Sequence, residues 1–400
     1  VTALADAIAD NSVDAQPFGY LITAIAMAWM VFFAAVPLRQ PRILGEVSFR
    51  SGLLVSEQPF YPFYLLVGLT VLAGVEGELS TVVGQLSLAI VAAVSLGLAV
   101  IAVNSTAAPG VVDRALDAGL GEGWRAGGGN TARRRLPLGH ILFLPFATRR
   151  RDVRLIRNIS YGDAGRQNLL DVYASTSGRT GSGVFIFLHG GGFRSGHKSF
   201  ESRVLLNNLA SEGWLCISAN YRVGRSASFP DYLVDTKKVI VWARANAPAY
   251  GGDASMVAVG GSSAGAHLAS MCALTPGHAE FQPGFEEADT TVSAAVCLYG
   301  WYGRASGGTG LSSPHDFLPP VAGTAVPPFF VAHGDHDTLV PVEAARDFVS
   351  RLREETDAPV VYAELPHAQH AFDLFHSLRS DAVARGIQSF LSNVRTRARR

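Results

Sequence analysis

Hydrophobic and polar positions divide this chain into two textures. Up to about Val103, apolar residues come in long runs. Val82–Val103 holds about 22 residues without a charge, roughly 33 Å of helix, enough to cross a bilayer core. Phe18–Val36 is a second run, about 19 residues between Pro17 and Pro37, and Phe60–Val75 a third of about 16 with Pro62 near its start. The third fits either a short span or a buried helix. The first is no signal peptide, because Asp6, Asp10 and Asp14 replace the basic leader and no clear cleavage site follows. These runs predict a multi-pass membrane region over residues 1–105, with two or three transmembrane helices.

From about Arg151 short β-branched runs alternate with longer amphipathic ones. Strands are predicted at Val153–Ile159, Leu169–Tyr173, Val184–Leu188, Leu215–Ala219, Met256–Gly260, Ala294–Leu298, Phe329–Ala332 and Val360–Glu364. Helices are predicted near Phe200–Ser211, Tyr232–Ala245, Ala264–Leu274, Val342–Glu355 and Ser380–Arg395. That alternation predicts an α/β domain over 151–400, a mostly parallel sheet with helices on both faces. Chemistry in such sheets sits beyond the carboxyl ends of the strands.

Between the two lies a stretch rich in Gly, Arg and Pro, 106–150, which reads as a linker and includes Ala126–Asn130. Within it Pro137–Phe146 is apolar, flanked by Arg133–Arg135 and Arg149–Arg151. It fits either a tail packed on the next domain or a segment lying on the bilayer surface. On this division a chain starting at Arg151 is expected to stay soluble and active.

Charge refines the picture. With 33 basic and 33 acidic residues there is no global field, which argues against nucleic acid as a partner. Mean hydropathy of +0.22 with 16% charged residues fits a chain partly in lipid. Arg39, Arg42 and Arg50 follow the first run, whereas Glu76 and Glu78 follow the Phe60–Val75 run. With three spans the positive-inside rule puts the N-terminus outside and everything after Val103 in the cytoplasm. If the middle run does not cross, that orientation lapses. Cys216, Cys272 and Cys297 lie in apolar stretches without metal or redox spacing and read as small buried hydrophobes.

Two motifs carry chemistry. Gly261, Ser263 and Gly265 form Gly-x-Ser-x-Gly between a predicted strand and helix, where a sharp turn lifts a serine hydroxyl clear of the sheet. His189-Gly190-Gly191-Gly192-Phe193 follows the strand Val184–Leu188. Consecutive glycines let backbone N–H groups converge on a developing oxyanion.

Together these motifs resemble the hormone-sensitive-lipase-like esterases of the α/β-hydrolase fold, and more closely the membrane-anchored lipase/esterases of mycobacteria and their relatives. The resemblance covers 151–400, and the apolar N-terminal third fits the anchored subgroup. It implies a carboxylesterase or lipase with Ser263 as nucleophile, and an oxyanion hole from the amides of Gly191, Gly192 and Ala264. Ser262 departs from the family, where Asp is common. His333-Gly-Asp-His-Asp337 resembles the family's acid motif and selects Asp337, with Asp335 as the competitor. His370, before Ala371 and Phe372, is selected as base over His367 and His376.

The His333–Asp337 cluster also invites a metal reading, but it lacks the paired His-x-His of hydrolytic sites, so neither metal nor cofactor is expected. His189 is expected to brace the glycine loop, and Phe193, Trp301 and Tyr302 to line an acyl pocket if they are not plain packing. Gly303–Pro328 reads as a short lid insertion. The expected partners are a small-molecule or lipid ester and membrane lipids. The competing readings are an amidase or peptidase of the same fold, and a catalytically dead membrane-anchored binding module.

Overall fold

A computed structural model describes residues 18–121, 124–125, 136–308, 310–320 and 325–399. The expectations for Asp6, Asp10, Asp14, Ala126–Asn130 and Arg133–Arg135 fall outside them.

The apolar runs form α1 (Phe18–Ala35), α3 (Phe60–Val75) and α4 (Val82–Ser105). Their large side chains are exposed: Ile22, Trp29 and Phe32 on α1, Val67, Val71 and Val75 on α3, Leu86, Leu96 and Val100 on α4. Small and branched residues such as Ala24, Ala73, Val91 and Val94 face inward. Such an apolar collar is costly in water and suits lipid. Phe18–Ala35 and the continuous stretch Val82–Leu120 are long and apolar enough to cross a membrane. The loop expected after the first run is instead a helix, α2 (Arg42–Glu57), which meets α3 at 83°. A Cβ on Gly52 would come within 3.2 Å of Ala34 backbone, so glycine lets α2 cross close over the end of α1.

The expected linker contains more structure than its composition signals. α5 (Ala108–Leu120) buries Ala108, Val112, Ala115, Leu116 and Leu120 in the same core as Phe330, Val361, Ile387 and Phe390. Gly119 permits this, since a Cβ there would stand 2.8 Å from Val361 Cα. α6 (Leu138–Phe143) follows and leans on the start of α3: the Tyr61 hydroxyl donates to the Phe143 carbonyl (2.7 Å), and Tyr64 stacks on Phe143.

The eight-stranded sheet comprises β1 (Val153–Ser160), β2 (Leu169–Ser175), β3 (Val184–Leu188), β4 (Leu215–Ala219), β5 (Val257–Ser262), β6 (Ala294–Leu298), β7 (Phe329–Gly334) and β8 (Val360–Leu365). Its order is β1-β2-β4-β3-β5-β6-β7-β8. The β1–β2 and β2–β4 pairs are antiparallel and the rest parallel. Strands β3 to β6 are buried at every position because both faces are covered. α7 (Arg203–Ser211) and α11 (Leu378–Ala398) join α5 on one face. α8 (Asp231–Asn246), α9 (Ala264–Leu274) and α10 (Val342–Glu355) cover the other. All three cysteines are free and buried.

Candidate active site

Four chain segments leave the carboxyl ends of β3, β5, β7 and β8 and bring the predicted residues to one edge of the sheet. Between β5 and α9, Ser263 adopts φ 52° and ψ −114°, a strained conformation for a residue with a Cβ. The strain is held in place from three sides. Ser263 N–H donates to the Leu298 carbonyl (2.9 Å), and the Ser263 carbonyl accepts from His267 N–H (3.1 Å) and Trp301 N–H (3.3 Å). Side chains at Gly261 or Gly265 would collide with the Gly265 backbone or the Leu188 carbonyl. As first residue of α9, Ala264 has no intrahelical acceptor for its N–H.

Beyond β3, the His189 ring stacks on Tyr221 at 4.4 Å, and the Tyr221 hydroxyl donates to the His189 carbonyl. Burial pushes the His189 pKa down to about 4, so it is neutral. Gly191 and Gly192 have φ 113° and 60°. Among the described residues, neither of their N–H groups meets an acceptor. Gly190 lies against the nucleophile elbow: a Cβ there would sit 3.1 Å from Ser263 Cβ.

The Asp337 carboxylate is the most heavily held group at this edge. One oxygen accepts from Leu339 N–H (2.9 Å) and Val340 N–H (2.8 Å); the other lies 2.6 Å from His370 Nδ1 and 3.2 Å from His333 Nε2. Burial alone would raise the Asp337 pKa, but His370 and the His333 hydrogen bond outweigh it and hold the carboxyl far below its usual range. For His370, burial lowers the pKa, yet the Asp337 charge and hydrogen bond, with Glu201 and Asp373, win and raise it above its ordinary value. Gln369 ties the two loops by accepting from both Thr338 N–H (2.8 Å) and His370 N–H (2.9 Å).

The competitors are engaged elsewhere. Asp335 accepts from His367 N–H (2.6 Å), as a turn residue does, and the His367 ring faces His336 at 3.2 Å. His376 pairs with Asp381. Of the aromatic residues expected at the pocket, Tyr302 is fully buried on Phe348 and Phe193 stacks on Tyr232, so both are core. Trp301, beside the Ser263 carbonyl, remains 38% exposed.

Several residues at the edge carry no sequence signal. Glu201 Oε2 accepts from Gly190 N–H (2.5 Å) and from the Ser262 hydroxyl. It thereby binds the glycine loop to the residue before Ser263, where the family commonly has Asp. Asp373 accepts from the hydroxyls of Ser202 and Tyr299, and the Tyr299 ring covers His370 at 4.6 Å. Phe49 of α2 also meets His370, with ring centroids 6.0 Å apart. Residues 39–57, which include this helix, are fastened to the Asp335–Thr338 loop and to the start of α11. Thr338 donates to the Gly45 carbonyl (2.9 Å), Arg39 to the Asp335 carbonyl (2.6 Å), and Arg379 pairs with Glu57 (3.2 Å), both side chains buried. These contacts link positions too distant in sequence for any local pattern to announce.

A parallel sheet covered on both faces, with a serine at the strand–helix elbow of a central strand, defines an α/β-hydrolase. The BD-FAE family matches residues 170–304. The probable carboxylic ester hydrolase LipM of Mycobacterium tuberculosis (strain ATCC 25618 / H37Rv) is 36% identical over 412 residues, 95% of this chain and 94% of that protein. Esterase LipQ of the same organism is 35% identical over 65% of this chain and 67% of its own length. Esterase 2 of Thermogutta terrifontis, solved phosphonylated by cyclosarin, superposes with a TM-score of 0.50 at 24% identity, over 58% of this chain and 90% of that one, and shows the fold alone. The chain belongs to the hormone-sensitive-lipase-like esterase family, and it is a carboxylic ester hydrolase.

Proposed function

We propose that this enzyme cleaves carboxylic esters through an acyl-enzyme on Ser263. His370 takes the serine proton through Nε2 while Asp337 holds its Nδ1–H and stabilises the imidazolium. The N–H groups of Gly191, Gly192 and Ala264 receive the oxyanion of the tetrahedral intermediate. The alcohol leaves with a proton from His370, and water then repeats the sequence to release the acid. The observation that carries this reading is the 2.6 Å His370–Asp337 hydrogen bond at the sheet edge where Ser263 is held strained.

The substrate is an ester with an apolar group, drawn from the bilayer. The Asp335–Thr338 loop is bonded to residues 39–57, directly after α1 ends, and Phe49 and Trp301 offer apolar walls. α1, α3 and α4 cross the membrane, with the N-terminus outside and the catalytic domain in the cytoplasm. Arg39, Arg42 and Arg50 on one side against Glu76 and Glu78 on the other support this orientation.

A fluorophosphonate probe tests the reading on the full-length protein. It should label the native enzyme and fail on Ser263→Ala, whose ester turnover falls to a residue of about 10³–10⁴-fold over water. Persistent labelling of that variant would move the nucleophile elsewhere. No labelling of the native protein would leave a dead binding module, and faster turnover of amides than of esters would favour the amidase reading.

A further inference from the structure

Two cavities of about 120 and 250 Å³ share Arg149 and Arg150 as a common wall. Arg157 and Arg203 line the smaller, Arg385 and His140 the larger. Neither wall includes Ser263, Asp337 or His370. The basic groups are uncommitted: among the described residues, the guanidinium groups of Arg149, Arg157, Arg203 and Arg385 make no ion pair or hydrogen bond, and only that of Arg150 is held, by Asp152. The acidic groups in the walls are already used. Asp171 is ion-paired with Lys198 (2.7 Å), and Asp381 is hydrogen-bonded to His376 (3.1 Å). Positive charge is therefore unspent on both sides of one ridge.

A second, independent feature marks the larger cavity. Thr148 lines it, is 4% exposed, and its hydroxyl has no hydrogen-bond partner. A buried hydroxyl without a partner is costly unless something arrives to bind it. Beside the same cavity the surface turns apolar: Leu138, Phe143, Leu144 and Phe146 are each more than half exposed. That patch stands at the level where α3 begins, since Tyr61 and Tyr64 hold Phe143 and Phe146.

We propose that these cavities bind the phosphate headgroup of an anionic bilayer lipid, whose acyl chains leave over Leu138, Phe143 and Leu144. Phosphate suits fixed guanidinium groups, which donate paired hydrogen bonds to its oxygens, and the Thr148 hydroxyl supplies a further donor. A soluble phosphate would have no use for the apolar rim. The site rests on the reading that the N-terminal helices lie in the membrane. It would dock the catalytic domain onto the leaflet from which the ester comes.

The test uses the full-length protein in mild detergent and fluorescent phosphatidylglycerol, with phosphatidylcholine as the neutral counterpart. The native protein should retain phosphatidylglycerol at least about tenfold more strongly than phosphatidylcholine, and lose that preference in high salt. Arg149→Gln with Arg385→Gln should abolish the preference, and the two Lys replacements should restore most of it. Thermal melts matched to the native protein show that the Gln variant is folded. Equal retention of both lipids by the native protein, or unchanged preference in the folded Gln variant, overturns the proposal. So does competition by millimolar inorganic phosphate, which would make this a free-phosphate site. Release of the protein from membranes by alkaline carbonate without detergent would instead refute the embedding on which the site rests.

Discussion

The Phe49 ring meets His370 edge to face at 6.0 Å, although one residue belongs to the N-terminal helix α2 and the other to the last loop of the hydrolase sheet. Tyr299 meets the same imidazole at 4.6 Å, and His370 is only 6% exposed. The N-terminal region thus supplies part of the site's wall in addition to any anchoring.

Phe49→Ala should therefore change which esters are preferred. Losing an apolar wall weakens transition-state contacts with a long chain more than with an acetyl group, by about tenfold in the ratio of kcat/KM. The comparison is between hexadecanoyl and acetyl esters, with full-length enzyme in detergent. An equal fall for both would reduce Phe49 to a structural prop.

A chain beginning at Arg151 should fail to fold, contrary to the sequence-based expectation. It lacks Val112, Leu116, Leu120, Trp124 and Ile141, all buried, and at about 2 kcal/mol each these supply about 10 kcal/mol. A domain's whole stability is roughly 5–15 kcal/mol. Circular dichroism and gel filtration would show aggregation; a soluble, cooperatively melting product would refute the estimate.

The acid limb of kcat/KM should have its midpoint above pH ~6.5, the value for unperturbed imidazole. Only neutral His370 can accept the serine proton, and its pKa is raised, so activity appears at higher pH than a free histidine would give. Asp337→Asn should cost about 10⁴-fold in kcat, whereas Asp335→Asn should cost far less because its carboxylate serves only the His367 turn. A midpoint below 6.5, or the reverse ranking of the two variants, would contradict the assignment. EDTA should leave activity intact.

What the sequence made legible and what it hid divide along physical lines. β3, β4 and β6 match their expected bounds, because a strand covered on both faces reads as a near-continuous apolar run, broken here only by Ser218. Ser263 and the Gly190–Gly192 loop were readable because their local backbone demands particular residues. α5 was hidden by composition: Ala108, Val112, Ala115 and Leu116 have helical spacing, but Arg and Gly around them read as linker. α2 was hidden for another reason. Its inward face is Gly45, Ser48 and Gly52, so close helix crossing, which needs small residues, replaces the large apolar stripe that periodicity detects.

Glu201 poses the sharpest remaining test. Its Oε2 ties Gly190, at the start of the glycine loop, to Ser262, next to Ser263, and so sets the distance between that loop and Ser263, the proposed oxyanion donors and nucleophile. Burial pushes its pKa up to about 7, with the Asp373 charge adding and the bonds from Ser262 and Gly190 opposing. Glu201→Ala removes the tie, and a loop displaced by about 1 Å can cost about 10²-fold in kcat. Glu201→Gln keeps an oxygen able to accept both donors and should lose much less. The Gln variant also removes the charge that Glu201 carries as it ionises near pH 7, which raises the His370 pKa, so its acid limb should move to lower pH. A residue that merely fills space would give equal losses for Ala and Gln and no movement of the limb. A tie that orients the loop and also loads the base gives unequal losses and an acid-ward limb, two readouts that repacking alone does not produce together.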